Sequence, residues 1–296
     1  MGDSIARVHK GLTERTEHWR SRGGQFPFRG HQIQVVHRSG DGVPLLMLHG
    51  FPSSSYDWRL VLDEMPGRAA IAFDFLGFGL SDKPRDHDYS LLWQADLTEA
   101  VAGRYAGGPG TRVDLLAHDI GTSVATELMA RDLLGEGKIE IARVTMLNGS
   151  IVQSRAHPTA AQRLLLSRVG PVAARLTSEG FFRRQFGSIF SPEHPLTGEE
   201  AADQWSLLRF HGGNRIGHRL VQYMRERERL AERWHGAFAE WAGPLALVWG
   251  MADPVAHPGM LDTLLGLRPG AAVTRLDGIG HYPQIEVPRS VAALLT

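Results

Sequence analysis

Short, mostly apolar runs alternating with longer amphipathic stretches set the rhythm of this chain. Residues 43–48, 69–73, 112–117 and 141–147 are strands of the kind buried on both faces of a parallel sheet. Ahead of them, residues 25–28 and 32–37, with β-branched Ile33, Val35 and Val36, read as two more strands. Helix-compatible pieces lie between, at 56–64, 91–105 and 124–132. A polar, partly helical lead-in of about 24 residues ends at Gly23-Gly24.

From residue 150 to 243 the strand signal vanishes. Helical periodicity fills 160–169, 173–186, 201–209 and 218–241, punctuated by Pro158, Pro171, Pro192 and Pro195. The alternation resumes at Pro244 with a strand at 245–249, a helix near 260–267, a strand at 272–276 and a last helix from about Val287. The pattern predicts an α/β fold: a mostly parallel central sheet flanked by helices, with a helical cap inserted in it. Residues 1–149 and 244–296 would form the core, and 150–243 the cap.

Composition narrows the function. Lys plus Arg balances Asp plus Glu at 32 each, so no net field points to nucleic acid or to an anionic membrane. Arginines cluster between 209 and 233, but glutamates alternate with them from Arg225 to Arg229. That run is expected to be a solvated, self-paired helix face. There are no cysteines, and the fourteen histidines show no metal-ligand spacing, so neither metal nor cofactor is expected. No apolar run is long enough to span a membrane, and residues 1–22 lack the apolar core of a signal peptide. A cytoplasmic location is the expectation.

The chemistry centres on Asp119. The strand ending at Ala117 runs into Gly121 and Ser123 and then a helix, and small residues on either side permit the sharp turn that exposes one side chain. Asp253 and His281 also sit just past predicted strand ends, the edge at which open parallel sheets bind ligands. Their order along the chain, nucleophile, acid, histidine, is that of the α/β-hydrolase fold.

With His49-Gly50-Phe51-Pro52, the Gly-rich stretch from Asp74 to Pro84, Asp253-Pro254 and Gly280-His281-Tyr282-Pro283, the chain resembles the aspartate-nucleophile branch of the α/β-hydrolases over nearly its whole length. That branch holds epoxide hydrolases and haloalkane dehalogenases. The stretch from His49 to Trp58, Leu147-Asn148-Gly149 and the segment from Gln222 to Trp234 also resemble the mesoderm-specific transcript proteins.

An aspartate is ionised at neutral pH, so a histidine is free to activate water instead of the nucleophile. Asp119 is expected to attack an electrophilic carbon and form an alkyl ester. His281, oriented by Asp253, then activates the water that cleaves it, with the backbone N–H groups of Phe51 and Ile120 as oxyanion donors.

The resemblance implies that an opening epoxide takes its proton from a lid tyrosine, and Tyr223 is the one tyrosine in the insertion. A second lid tyrosine is missing; Trp205, His211 and Asn148 are the candidates for its place in the pocket. Dehalogenases of the branch place tryptophan or asparagine donors where this chain has Ile120 and Phe51, which favours an epoxide over a halide. Arginines just after the elbow, as a carboxylate substrate would want, are replaced by Thr122 and Ser123.

The expected function is therefore a cofactor-independent epoxide hydrolase, with a small apolar epoxide as ligand and a homodimer as the expected assembly. The alternatives are a haloalkane or haloacid dehalogenase on the same triad, and a ligand-binding homologue without turnover.

Overall fold

The computed structural model describes residues 11–149 and 151–295, so the first ten residues of the expected lead-in and the first of the expected cap lie outside it. Eight strands form one sheet: β1 (Gly24–Phe28), β2 (His31–Arg38), β3 (Asp41–Leu48), β4 (Arg68–Phe73), β5 (Arg112–His118), β6 (Glu140–Leu147), β7 (Leu245–Gly250) and β8 (Ala272–Leu276). Their spatial order is β1-β2-β4-β3-β5-β6-β7-β8. β1 and β2 pair antiparallel, as do β2 and β4, and every later pair is parallel.

Alternate side chains of a strand point to opposite faces, and both faces of this sheet are covered. Leu46 and Leu48 of β3, Ile71 and Phe73 of β4, and Leu115 and Ala117 of β5 enter one apolar cluster. Their neighbours Leu45, Met47, Ala70, Ala72 and Leu116 enter another. Helices α1 (Glu14–Ser21), α2 (Arg59–Asp63), α3 (Leu91–Tyr105) and α4 (Ile120–Leu133) belong to the first half of the chain.

Between β6 and β7 the described residues contain no strand. They form α5 (Ala160–Leu166), α6 (Gly170–Leu176), α7 (Glu179–Gly187), α8 (Gly198–Arg209), α9 (Gly217–Leu220), α10 (Tyr223–Arg229) and α11 (Ala231–Glu240), with a 3-10 stretch at Phe210–Ile216. Helix α12 (Pro258–Leu267) follows β7, and α13 (Pro283–Glu286) and α14 (Pro288–Ala293) follow β8.

The insertion is more broken than its periodicity predicts. A single helix over 173–186 is interrupted because Ser178 leaves helical geometry to cap α7, its hydroxyl accepting from the Phe181 N–H at 3.3 Å. The expected helix over 218–241 is three pieces, with Leu230 (φ −101°, ψ 11°) at the junction of α10 and α11.

The Arg225–Arg229 run is not the solvated face expected of it. Glu226 turns inward to accept from Ser90 Oγ and the Leu91 N–H, both at 2.6 Å, and Arg227 is 4% exposed. Alternation of charge in sequence does not reveal which side of a helix meets the core.

Candidate active site

Asp119 links β5 to α4 with φ 47° and ψ −112°, a conformation that side chains other than glycine rarely adopt. Close packing holds it there. A Cβ on Gly121 would lie 2.4 Å from the Leu48 carbonyl oxygen, and one on Gly50 would lie 2.9 Å from the Cβ of Asp119. The carboxylate makes no helix-capping hydrogen bond, so capping does not account for an aspartate at this position. Instead Oδ2 accepts the Phe51 N–H at 2.8 Å. Ile120, the other expected oxyanion donor, is the buried first residue of α4.

His281 follows β8 and is 2% exposed. Its Nδ1 lies 2.6 Å from Asp253 Oδ2, so Nδ1–H donates to the acid and Nε2 is left for the cavity that His281 lines. Burial works against protonation of this imidazole, but the charge and hydrogen bond of Asp253 outweigh it and hold the pKa above the ordinary value of 6.5. The two oxygens of Asp253 divide their tasks: Oδ1 accepts the Val255 N–H at 2.7 Å and shapes the turn, while Oδ2 holds the histidine.

Asn148, expected in the pocket, lies behind the acid. Its Nδ2 donates to Asp253 Oδ2 at 2.8 Å and to the Gly250 carbonyl at 3.1 Å, and its Oδ1 accepts the Gly250 N–H at 2.7 Å. The structure thus places it as a support for Asp253 and not in the wall of the cavity.

Two further buried groups hold the histidine loop. Glu286 accepts from the N–H groups of Gly280 (2.9 Å), Tyr282 (3.2 Å) and Ser191 (3.1 Å), bracketing His281 and tying its loop to the insertion. His118 donates from Nε2 to the His281 carbonyl at 2.7 Å. Burial, with the nearby His281 adding to it, pushes the His118 pKa down to about 3, so it stays neutral.

A cavity of about 510 Å³ adjoins Asp119 and His281, walled by apolar side chains of α5–α7 together with Phe51, Leu220 and Val255. A second, about 20 Å³ in volume, is lined by Asp119, His281, Tyr223, Arg227 and Gln162 among others. Tyr223 is 4% exposed and its hydroxyl accepts from Gln162 Nε2 at 3.0 Å. Burial foremost, and the Asp119 charge next, raise its pKa, which keeps the phenol protonated.

The other buried tyrosines are committed elsewhere: Tyr56 donates to Asp203 at 2.8 Å, Tyr89 to the Pro84 carbonyl, and Tyr282 reaches the Phe51 carbonyl and Ser53 at 3.4 Å. Trp205 and His211 do not line the cavity either. Trp205 packs behind its wall, 5.5 Å from Phe182, and exposed His211 stacks on Phe210 at 3.9 Å.

Arg227 is the residue that sequence reasoning missed. Its Nε donates to Ser123 Oγ at 2.8 Å and its Nη2 to the Asp119 carbonyl at 3.2 Å. The same Nη2 lies 3.5 Å from Asp119 Oδ1, and the guanidinium covers the Tyr223 ring at 4.6 Å. A cation from the insertion therefore stands beside Asp119, where no arginine follows it closely in sequence. Gln162 was missed as well, although a Thr-x-x-Gln capping box at Thr159 marks it as the start of a helix.

The family model described as alpha/beta hydrolase fold matches residues 43–288. LipZ of Mycobacterium tuberculosis (strain ATCC 25618 / H37Rv), a protein named as a hydrolase, is 51% identical over 93% of this chain and 94% of its own. The mesoderm-specific transcript protein of Mus musculus is 35% identical over 91% of this chain and 83% of its own. Among solved structures, a mutant of the haloalkane dehalogenase DatA from Agrobacterium tumefaciens C58 has a TM-score of 0.76 at 20% identity, over 92% of this chain and 94% of that one, and shares the fold.

Proposed function

The chain belongs to the alpha/beta hydrolase fold family, and on that premise we propose that it is an epoxide hydrolase working through an alkyl ester on Asp119. The observation that carries this reading is the placement of Tyr223. Its phenol oxygen receives a hydrogen bond from Gln162, its own proton has no acceptor among the described residues, and it faces the small chamber shared with Asp119 and His281. The helical insertion acts as the cap that supplies this donor, and Gln162 takes the orienting place that a second tyrosine would otherwise fill.

In the first step Asp119 Oδ1, the oxygen not bound by Phe51, attacks an epoxide carbon. The C–O bond breaks and the alkoxide takes the Tyr223 proton. In the second, a water in the small chamber gives a proton to His281 Nε2 and its oxygen adds to the ester carbon; about 20 Å³ accommodates one water. The resulting oxyanion is held by the N–H groups of Phe51 and Ile120, each such donor contributing about 3–4 kcal/mol in the transition state. Collapse releases the diol, its second oxygen leaving with the histidine's proton. The carboxylic acid proton of Asp119 returns to the tyrosinate, restoring the resting charges.

Arg227 supports a second reading, halide displacement, because it brings a buried cation to the chamber in which a leaving anion would form. Styrene oxide and 1-bromobutane separate the two. On the epoxide reading, Tyr223→Phe slows diol formation by about 10²–10⁴-fold, Asp119→Asn abolishes alkylation, and His281→Ala accumulates an ester visible by intact mass. Halide release with no diol from the wild type moves the assignment to a dehalogenase, and unchanged turnover in His281→Ala removes both.

A further inference from the structure

The large cavity reaches the surface among α5, α6 and α7, and there lie five of the eight exposed large apolar side chains among the described residues. Leu164, Val169, Val172, Leu176 and Phe181 are 41, 56, 57, 76 and 39% exposed, and all five line the cavity. Elsewhere among the described residues only Leu133, Leu134 and Leu294 are comparably bare. Contiguous apolar surface of this kind marks a contact site.

The same helices and the turn between α5 and α6 carry Arg163, Arg168, Arg175, Arg183 and Arg184, all exposed, against a single acidic residue, Glu179. Arg183 lies 3.8 Å from Glu179 and Arg163 donates to the Pro158 carbonyl; among the described residues the other three have no acidic partner within 4 Å. The zero net charge of the whole chain conceals this local excess.

We propose that this face seats on an anionic lipid bilayer, so that a lipophilic substrate passes from the membrane into the cavity without crossing water. Exposed apolar side chains interleaved along the chain with exposed arginines fit the acyl boundary and the phosphate layer of such a surface. A second copy of the chain fits poorly, because an isologous contact sets these exposed arginines against themselves and seals the cavity mouth. Seating on lipid leaves the mouth facing the phase that dissolves apolar electrophiles. The proposal deepens the hydrolase reading by naming where its substrate comes from, yet its primary readout is binding, so the two fail separately.

The test is co-sedimentation of the purified chain with phosphatidylglycerol/phosphatidylcholine vesicles and with phosphatidylcholine alone, at low and high salt. The wild type is expected to bind the anionic vesicles about tenfold or more tightly than the neutral ones, and to lose most of that advantage once salt shortens the screening length to about 3 Å. Arg168→Glu/Arg175→Glu/Arg184→Glu is expected to abolish the preference while its hydrolysis of soluble styrene oxide stays within about twofold of wild type. Leu176→Asp is expected to weaken binding at both salt concentrations. Equal binding to both vesicles, or none to either, overturns the proposal. So does a concentration-dependent dimer that Leu176→Asp dissolves in a chain that ignores vesicles.

Discussion

Arg227 shows how much one buried side chain can change the reading of a site. Its guanidinium fixes Ser123, the Asp119 carbonyl and, more loosely, Asp119 Oδ1, so it orients the carboxylate that the proposed mechanism uses as nucleophile. Hydrogen bonds to charged groups contribute about 1.5–3 kcal/mol. Arg227→Met should therefore lower kcat/KM by about ten- to a hundredfold, and Arg227→Lys, which keeps the charge, should restore part of it. Wild-type kinetics in the methionine variant remove the positioning role.

His281 gives a second prediction at this scale. As a base it must be neutral, and its pKa is raised by Asp253 against the opposing effect of burial. The rate of ester hydrolysis should fall as pH drops through a value above 6.5. Asp253→Asn removes the anion, so the acid limb should move to lower pH while the plateau falls by about 10³–10⁴-fold. A limb that stays in place excludes Asp253 as the cause of the shift. The strand-end positions of Asp119, Asp253 and His281 were legible in the sequence because each is flanked by local turn chemistry. Arg227 was not, because nothing in an alternating Arg/Glu run tells which arginine faces the core.

Among elements, the strands were the readable part. The predicted run at 272–276 is β8 itself, and 43–48, 69–73 and 141–147 fall short of β3, β4 and β6 by only one or two residues at the start. A strand buried on both faces is written as an apolar run, and each run is bounded by turn residues. Helix breaks in the insertion were less readable, since Ser178 and Leu230 carry no glycine or proline signal.

The short helix α13 is a more telling case, because its last residue, Glu286, organises the loop that precedes it. One carboxylate serves three N–H groups on two segments, a long-range pattern with no sequence motif. Glu286→Gln keeps one acceptor and loses the charge. It should cost about 2 kcal/mol, or about 3 °C in Tm for a chain of this size. Because the His281 loop is loosened and Asp119 is not, ester hydrolysis should slow more than alkylation, and the ester should appear in the steady state by mass. Equal slowing of both steps marks Glu286 as merely structural.

At the scale of the whole molecule, the insertion is fastened unevenly. Its second half is bound to the core by buried charge: Asp203 by Arg15 and Tyr56, Glu200 by Arg59, Glu226 by Ser90 and the Leu91 N–H, and Arg233 and Trp234 by Glu127. Along α8 seven residues are buried; on α5 only Gln162 is, and on α6 only Gly170 and Ala174. From α5 the Gln162–Tyr223 hydrogen bond reaches the site, and only half-buried Leu165 and Leu166 pack against the core.

Local opening is easiest where few apolar contacts are buried, so α5 and α6 are expected to open more readily than α8 and α11, with Tyr223 and Arg227 staying over Asp119. Native-state hydrogen exchange should show amides of 160–176 exchanging at least about a hundredfold faster than those of 200–209 and 231–240, a gap of about 3 kcal/mol in opening free energy. Anionic vesicles should slow exchange in 160–187 alone if that face seats on lipid. Uniform protection across the insertion would mean that the cap moves as one body, and substrate entry would then require Tyr223 to leave the site with it.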